Sequence, residues 1–389
     1  MNVLLCNPGE PDYGSVTIPL PIPDTEYERC IRMLEEIEIG DVTAHDCYLD
    51  QIHDAPPVLS ALEGTRINID ELDFLARSLE RLDETELAEF QAMAHLKEYR
   101  DVQDLINLSF NTGTHTVITG FFDLEAVGKR HYLTARGGSV PAEEMDQVNG
   151  IGVALGLIAS GEGKVTPYGV LYGSDWPMEP VYSGYAFPPY WDQEYLMEFT
   201  LASPQHGDVY LLLPTPESRL ERLLFRSGVS TPDSRRIKDW DSTLPDTLLE
   251  HMNVTLESLE ELNNLCAAVA DLDEHDLKLL EAAVQYADPR NAGQIRSLAE
   301  NLDLFEFFPG VNSAEDYGRY LIQESGHYDY DENLEPYYDY TLCGDDQMVS
   351  ETGGYVNGGY VVYQGAQELA ELMQHKPEEQ TQGLQMAGF

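Results

Sequence analysis

The chain has 389 residues, 42% of them hydrophobic, so it is long enough for two domains and apolar enough to fold. It carries 70 Asp and Glu against 22 Lys and Arg, and the resulting net charge of −48 excludes direct binding to nucleic acid. The opening MNVLLCNPGEPD has no basic leader, the most apolar run is too short to span a bilayer, and the five cysteines form no CxxC pair. We therefore expect a cytoplasmic protein with reduced thiols.

The first predicted elements are an apolar strand that ends at a pair of prolines and a helix over 24–38. Four short helical patterns follow. Leucines at positions 72, 75, 79 and 82 share one face of the first pattern, and Asp83 with Glu86 has the spacing of a capping box. We expect Gly120 and Gly128 to bracket a turn and another short helix.

The glycine-rich run GIGVALG (150–156) lacks the spacing of a dinucleotide-binding loop, and we interpret it as an apolar strand or turn. A β segment rich in Gly and Tyr closes this half of the chain. The pattern as a whole predicts an α+β fold in which small mixed α/β pieces flank a short four-helix bundle.

The second half repeats the first. At an offset of 190 residues, positions 71–128 share 14 identities with positions 261–318, and the similarity continues at slightly different offsets on both sides. We therefore predict two tandem copies, at 1–173 and 207–365, in an elongated chain. A connector rich in Pro and aromatic residues (174–206) joins them, and a C-terminal helix or tail (366–389) follows.

Metal binding and catalysis have weak sequence support. Asp329, Asp331 and Asn333 follow the D-x-D-x-N start of a calcium loop. Leu334 then stands where the loop needs Gly, and Tyr340 where it needs Glu, so we predict no metal site. No Walker, G-x-S-x-G or H-E-x-x-H motif occurs. We therefore predict a protein that is not an enzyme and has no cofactor.

The acids are concentrated in two stretches. Residues 301–352 hold thirteen Asp or Glu and a single Lys or Arg, Arg319, while 68–101 places acids on helices where the apolar stripe leaves them exposed. Any one carboxylate is better explained as part of a solvated face, but a small domain needs a net charge of only about 2–8 for solubility. The predicted partner-binding acids are Asp70, Glu71, Asp73, Glu80, Asp83, Glu84, Glu86, Glu89, Asp303, Glu306, Glu315, Asp316, Glu324, Asp329, Asp331, Glu332, Glu335, Asp339, Asp345 and Asp346.

Duplex DNA carries one charge per about 1.7 Å of axis, so 48 charges correspond to roughly 80 Å of duplex. Carboxylates fixed on rigid helices could therefore imitate phosphates toward a basic groove, with a distributed contact and no single indispensable residue. An acidic scaffold or chaperone for another basic protein would need the charge without the geometry. A halophilic protein would spread its acids more evenly than residues 301–352 do.

Two segments resemble the ArdA antirestriction proteins of conjugative elements: NAGQIRSLAENLDLFEFFPGVNSAEDYGRYLIQESG (291–326) and LEPYYDYTLCGDDQMVSETGGYVNGGYVVY (334–363). The first copy keeps VQDLINLSFN (102–111) but has GKRHYL (128–133) where the second has GRYLI, and it lacks PYYDY. The resemblance implies a non-enzymatic DNA mimic that occupies the DNA-binding groove of type I restriction–modification enzymes and protects incoming DNA. Because family members are usually single-copy chains that pair, we expect a monomeric pseudo-dimer here.

Overall fold

The structure, a computed structural model, describes residues 1–173, 178–189, 194–231 and 236–374. Helices make up 46% and strands 18%, which confirms the α+β class. The chain divides into two compact units, one formed by Met1–Trp191, Leu201–Tyr210 and Pro216–Arg236, the other by Asp192–Thr200, Leu211–Thr215 and Ile237–Phe389. Parts of the predicted connector (174–177 and 190–193) and most of the predicted tail (375–389) lie outside the described residues.

Residues 1–173 form seven strands and seven α-helices, besides three short 3-10 helices. The strands are β1 (Asn2–Cys6), β2 (Ser15–Pro19), β3 (Cys47–His53), β4 (Arg66–Ile67), β5 (Thr116–Ile118), β6 (Lys164–Thr166) and β7 (Gly169–Tyr172). The helices are α1 (Tyr27–Glu36), α2 (Ile69–Glu80), α3 (Glu84–Lys97), α4 (Val102–Ser109), α5 (Leu124–Thr134), α6 (Ala142–Asp146) and α7 (Gly150–Ser160).

A similar series follows after residue 194. Its strands are β8 (Met197–Ser203), β9 (Gly207–Leu213), β10 (Ile237–Ser242), β11 (Phe305–Pro309), β12 (Thr352–Val356) and β13 (Gly359–Tyr363). Its helices are α8 (Glu217–Arg226), α9 (Asp246–Glu250), α10 (Leu259–Ala270), α11 (Glu274–Ala287), α12 (Ala292–Ala299), α13 (Ala314–Arg319), α14 (Tyr340–Ser350) and α15 (Leu369–Leu372).

Four small sheets occur in two kinds. The strand orders β2-β1-β3-β4 and β10-β8-β9 place the first strand of each series between the next two. The orders β5-β7-β6 and β11-β13-β12 are identical to each other, with every neighbouring pair antiparallel. The second kind of sheet therefore recurs with the same topology, whereas the first kind recurs without its fourth strand.

Three consecutive helices in each series begin at side-chain caps. Asp83 accepts hydrogen bonds from the backbone N–H groups of Thr85 and Glu86, and Glu86 completes the predicted capping box. Such caps satisfy the N–H groups that a helix start leaves without partners. The caps recur at a spacing of 190 residues: Asn68 and Ser258, Asp83 and Asp273, Asp101 and Asn291.

The apolar stripe of α2 lies in the core as predicted. Leu72, Leu75 and Leu79 are buried in one hydrophobic cluster with residues of α1, α4 and β1, and Leu82 packs against it. β5 separates the third and fourth helical patterns. Among the described helices, none combines the length and apolar character needed to cross a membrane.

Two glycine predictions are wrong. Residues 150–156 belong to helix α7 rather than to a strand or turn, and Gly128 lies inside α5 rather than at its edge. A Cβ on Gly128 would stand 1.8 Å from the carbonyl oxygen of Gly150. These glycines therefore let α5 and α7 touch backbone to backbone, a packing role that hydrophobic periodicity does not reveal.

Candidate partner-binding surface

The acids predicted within 303–346 lie at the surface. Eleven of the twelve are exposed, and Asp316 is half-buried. They stand on β11, α13, α14 and the short helical turns between these elements. The twelve positions are Asp303, Glu306, Glu315, Asp316, Glu324, Asp329, Asp331, Glu332, Glu335, Asp339, Asp345 and Asp346.

The two helices that carry several of these acids cross in direct backbone contact. A Cβ on Gly318 of α13 would lie 1.9 Å from the carbonyl oxygen of Tyr340, and one on Gly344 of α14 would lie 1.9 Å from that of Ala314. Any larger side chain at either position would force the helices apart. The glycines thus fix the spacing between the acids of α13 and those of α14.

The acidic segment between α13 and α14 has defined local structure. Asp331 accepts a hydrogen bond from the N–H of Asn333 at the start of the 3-10 helix Glu332–Tyr337, and Asp339 accepts one from the N–H of Leu342 at the start of α14. Carboxylates near helix N-termini are stabilised by the N–H groups there. Part of the negative charge therefore also holds the backbone in place.

Tyrosine rings pack among these acids. The rings of Tyr330 and Tyr338 lie 5.7 Å apart and those of Tyr338 and Tyr340 5.8 Å apart, distances typical of aromatic pairs. The side-chain amide of Gln323 donates to the hydroxyls of both Tyr330 and Tyr340. These contacts tie the segment to the turn that follows α13.

Two acids from different helices, Asp316 of α13 and Asp345 of α14, affect the pKa of the same tyrosine. Burial, with the charges of Asp345 and Asp316, raises the pKa of the Tyr355 phenol. Asp316 itself accepts hydrogen bonds from the Ser313 hydroxyl (2.8 Å) and from the N–H of Asn312 (3.1 Å), and the Ser313 bond is the main reason that its pKa is lowered. The carboxylate of Asp316 therefore stays ionised more readily than an ordinary aspartate.

The partial calcium motif does not assemble as a site. Asp331 binds its neighbour Asn333 through both the backbone N–H and the side-chain amide. Across the described residues, no group of three or more His, Cys, Asp or Glu side chains is arranged to hold a metal ion.

The acids predicted within 70–89 are placed differently. Glu80, Asp83 and Glu84 are exposed and Glu86 is half-buried. The guanidinium of Arg130 lies within 4 Å of Asp83 and Glu86. This arginine, from α5, therefore offsets part of the charge at the start of α3.

The other four acids of this stretch correct the sequence-based expectation that all eight are exposed. Glu71, Asp73 and Glu89 are buried, and the side chain of Asp70 is only 10% exposed. Glu89 accepts hydrogen bonds from the backbone N–H groups of residues 113–115. Its carboxylate satisfies the N–H groups of a turn. The spacing of acids in the sequence does not reveal this role.

A comparison with known families applies to the part of the chain that carries the exposed acids. Residues 205–362 match the family model described as antirestriction protein (ArdA). These residues belong to the ArdA family. The resemblance stated from the sequence is thus confirmed for the second copy, and no curated protein matches the chain.

Helix α8 of the ArdA domain explains why the α2 acids are buried. Arg222 donates two hydrogen bonds to the carboxylate of Asp70, both 2.9 Å, and one to the carbonyl of Gly40. Arg219 binds Asp24 and approaches Asp73 to 3.9 Å. Two-pronged arginine–carboxylate pairs of this kind are the strongest in proteins.

Arg226 forms the most buried of these contacts. Its guanidinium binds the carboxylate of Glu71, and both side chains are 2% exposed. Tyr182 donates its hydroxyl proton to Glu71 (2.9 Å), and the carbonyl of Val42 accepts from Arg226 (2.7 Å). These bonds satisfy the guanidinium and one carboxylate oxygen, which lowers the cost of burying the pair. The other oxygen of Glu71, Oε2, lies 3.2 Å from Nε2 of His45.

Burial raises the pKa of Asp73, against the opposing effects of Arg77 and Arg219. Asp73 also accepts a 2.6 Å hydrogen bond from the N–H of Ile22. Three acids of α2, Asp70, Glu71 and Asp73, therefore bind arginines within the molecule. The sequence carries a signal for this, because Arg219, Arg222 and Arg226 are spaced three and four apart on one helical face.

Proposed function

We propose that the chain is an antirestriction protein that mimics DNA and occupies the DNA-binding groove of type I restriction–modification enzymes. The observation that carries this proposal is the exposure of eleven carboxylates within 303–346, in a stretch whose only Lys or Arg is Arg319. Residues 301–352 have a net charge of −12, from thirteen acids and one arginine, which matches about 20 Å of duplex DNA. The ArdA match supports the antirestriction role.

The mimicry requires charges at fixed positions. Backbone contact between α13 and α14, helix caps formed by Asp331 and Asp339, and packed tyrosine rings support such positions. Preorganised charges bind a complementary surface without the entropy loss of ordering a flexible chain. The protein acts by occupying the groove, without catalysis and in the cytoplasm, where incoming DNA is cut.

We further propose that the first copy, residues 1–173, is a diverged form of the ArdA domain. Helices α2, α3, α4 and α7 recur as α10, α11, α12 and α14 with bounds shifted by 190 residues, and the sheet β5-β7-β6 recurs as β11-β13-β12. One chain would then supply both halves of a DNA-like surface and act as a monomer. Light scattering at micromolar concentration tests this, and a stable dimer of the full chain would contradict it.

The direct test is an endonuclease assay with a type I enzyme and DNA carrying its recognition site. We expect the chain to inhibit cleavage in competition with unlabelled duplex DNA, because both occupy one groove. The second candidate function is an acidic scaffold for another basic protein, favoured by the same exposed acids. Binding to a basic protein that duplex DNA does not displace would support the scaffold and contradict the mimic.

A further inference from the structure

Arg319 stands among the exposed acids of residues 303–346. It is the only Lys or Arg between residues 301 and 352, and it stands at the end of α13. A protein that binds a basic groove gains nothing electrostatically from a cation at this place. Its contacts must therefore supply something other than charge.

The guanidinium joins three separate segments. It donates to Glu315 on α13 through Nε (3.3 Å) and through a terminal nitrogen (2.9 Å). It donates to Glu335 in the 3-10 helix Glu332–Tyr337 at 3.4 Å, and it lies 4.4 Å from the centre of the Tyr340 ring at the start of α14. A planar fork that also stacks on an aromatic ring is specific to arginine.

Without this cation, electrostatic repulsion would favour separation of the three segments. Glu315 and Glu335 would face each other as like charges, and both line an open groove that residues 336–341 complete. Each exposed contact of Arg319 is weak by itself, but several contacts to one rigid group fix a geometry. The first copy keeps the local pair, because Lys129 and Glu125 stand at the positions that match Arg319 and Glu315 and lie 3.0 Å apart. Met145 and Gly150 stand where the second copy has Glu335 and Tyr340, so the links to the other two segments have no counterpart there.

We propose that Arg319 is a positioning residue that clips Glu335 and its turn against α13 and α14, so that the surface fits a groove of fixed shape and not a flexible basic chain. This inference rests on the proposed DNA mimicry. The partner it selects is a rigid, DNA-shaped basic groove. A disordered, arginine-rich segment can adapt to any arrangement of the same acids.

Charge and positioning predict opposite changes in affinity when Arg319 is replaced. Arg319→Gln changes the net charge from −48 to −49, so charge alone predicts tighter binding to a basic groove. Positioning predicts weaker binding, by about three- to tenfold, the scale expected when a small network of exposed ion pairs is lost. Lys278→Gln is the matched control, because it removes one exposed cation from an ordinary pair with Glu274 outside the proposed surface.

Binding is measured as displacement of a fluorescent duplex from a type I methyltransferase core complex, and separately as binding to a polyarginine peptide. We expect Arg319→Gln to weaken groove binding while polyarginine binding is unchanged or tighter. A merely structural defect would weaken both. Arg319→Lys keeps the charge without the planar fork, and we expect a smaller loss of groove binding.

Equal or tighter groove binding by Arg319→Gln, relative to Lys278→Gln, would overturn the clip and leave DNA mimicry intact. Failure of the unmodified chain to displace the duplex would overturn both. A parallel loss of groove and polyarginine binding would also overturn the clip, because it would show a general defect.

Discussion

The last parts of the two halves, residues 121–173 and 311–363, share a scaffold and differ in surface. In each, two helices touch backbone to backbone, through Gly128 in one and Gly318 in the other, and two antiparallel strands follow that pair with a strand from before the helices. Residues 311–363 hold eleven acids and one arginine, a net charge of −10, whereas 121–173 hold six acids and four Lys or Arg, a net charge of −2. The scaffold therefore does not dictate the charge that it presents.

The less acidic region exposes apolar side chains instead. Phe121 and Phe122 are 75% and 90% exposed, and half of each side chain of Ile151 and Leu155 on α7 is accessible. At the matching positions on α14, the second copy has Thr341 and Asp345. The two regions would therefore contribute unequally to the charge of the proposed DNA-like surface.

Removing the charge from one region should have the largest effect. Neutralising Asp329, Asp331, Glu332, Glu335 and Asp339 together should abolish inhibition of a type I enzyme, since these acids face outward within one short segment. The measurement is inhibition of DNA cleavage at physiological salt.

The matched control neutralises five acids of the other region: Asp123, Glu143, Glu144, Asp146 and Glu162. We expect this variant, with the same change in net charge, to keep most of the inhibition. An equal loss of inhibition in both variants would mean that only the total charge matters. It would contradict a special role for the acids of residues 311–363.

Acids that bind arginines inside the molecule should contribute to stability, unlike acids that face outward. Arg226→Met should lower the free energy of unfolding by about 3–5 kcal/mol, because it leaves the buried carboxylate of Glu71 without its charged partner. Urea unfolding followed by circular dichroism measures the loss. The exposed Arg290→Met should stay within about 0.5 kcal/mol of the unmodified protein. Similar stabilities for the two variants would contradict the structural role of Arg226.

The same substitution can be made at both helix crossings. Gly344→Ala and Gly128→Ala each place a methyl group on a backbone carbonyl, and each should cost about 1–3 kcal/mol of stability. Only Gly344→Ala shifts acids on the proposed surface, so it alone should weaken groove binding. The test pairs thermal unfolding with duplex displacement, and weakened binding in both variants would argue against a role for acid spacing.

A single surface acid should matter little. Asp331→Asn should change the affinity by less than about threefold, the scale of one exposed charge contact. Affinity should fall steeply with added salt, because screening limits exposed charges to a range of about 8 Å at physiological ionic strength. Titrations at several salt concentrations measure both effects. Complete loss of binding in Asp331→Asn would indicate a specific site in place of a distributed contact.

The smallest effect concerns pH. Burial lowers the pKa of His131 on α5, whereas Leu321 stands at the matching position of the second copy. Because the unfolded chain takes up this proton more readily, the stability from neutral His131 is present above pH 6.5 and is lost as pH falls below it. Unfolding at pH 7.5 and 5.5 should show a smaller pH-dependent loss for His131→Leu. An unchanged pH dependence would exclude a contribution from His131.

Local patterns predicted much of the fold. The capping box at Asp83, the leucine face of α2, the α+β class and the 190-residue repeat were all readable, because caps and apolar periodicity act over a few residues. Helix α7 was not, since its glycines serve a contact with α5 that is distant in sequence. Close backbone packing leaves no periodic pattern.

The candidate surface was predictable where the sequence has many acids and almost no cations, as in residues 303–346. It was not predictable at Asp70 and Glu71, because their arginine partners come from α8, about 150 residues later. A dense run of acids indicates a surface only when no other element supplies the opposite charge.

The arginine row of α8 determines where the chain can be cut. A fragment that begins at residue 205, at the edge of the ArdA match, would keep Arg219, Arg222 and Arg226 but lose Asp24, Asp70 and Glu71. The complementary fragment would keep those acids without their cations. Separate expression of the two halves therefore breaks buried ion pairs on both sides of the cut. Gene dissection of this protein should keep residues 1–231 in one piece.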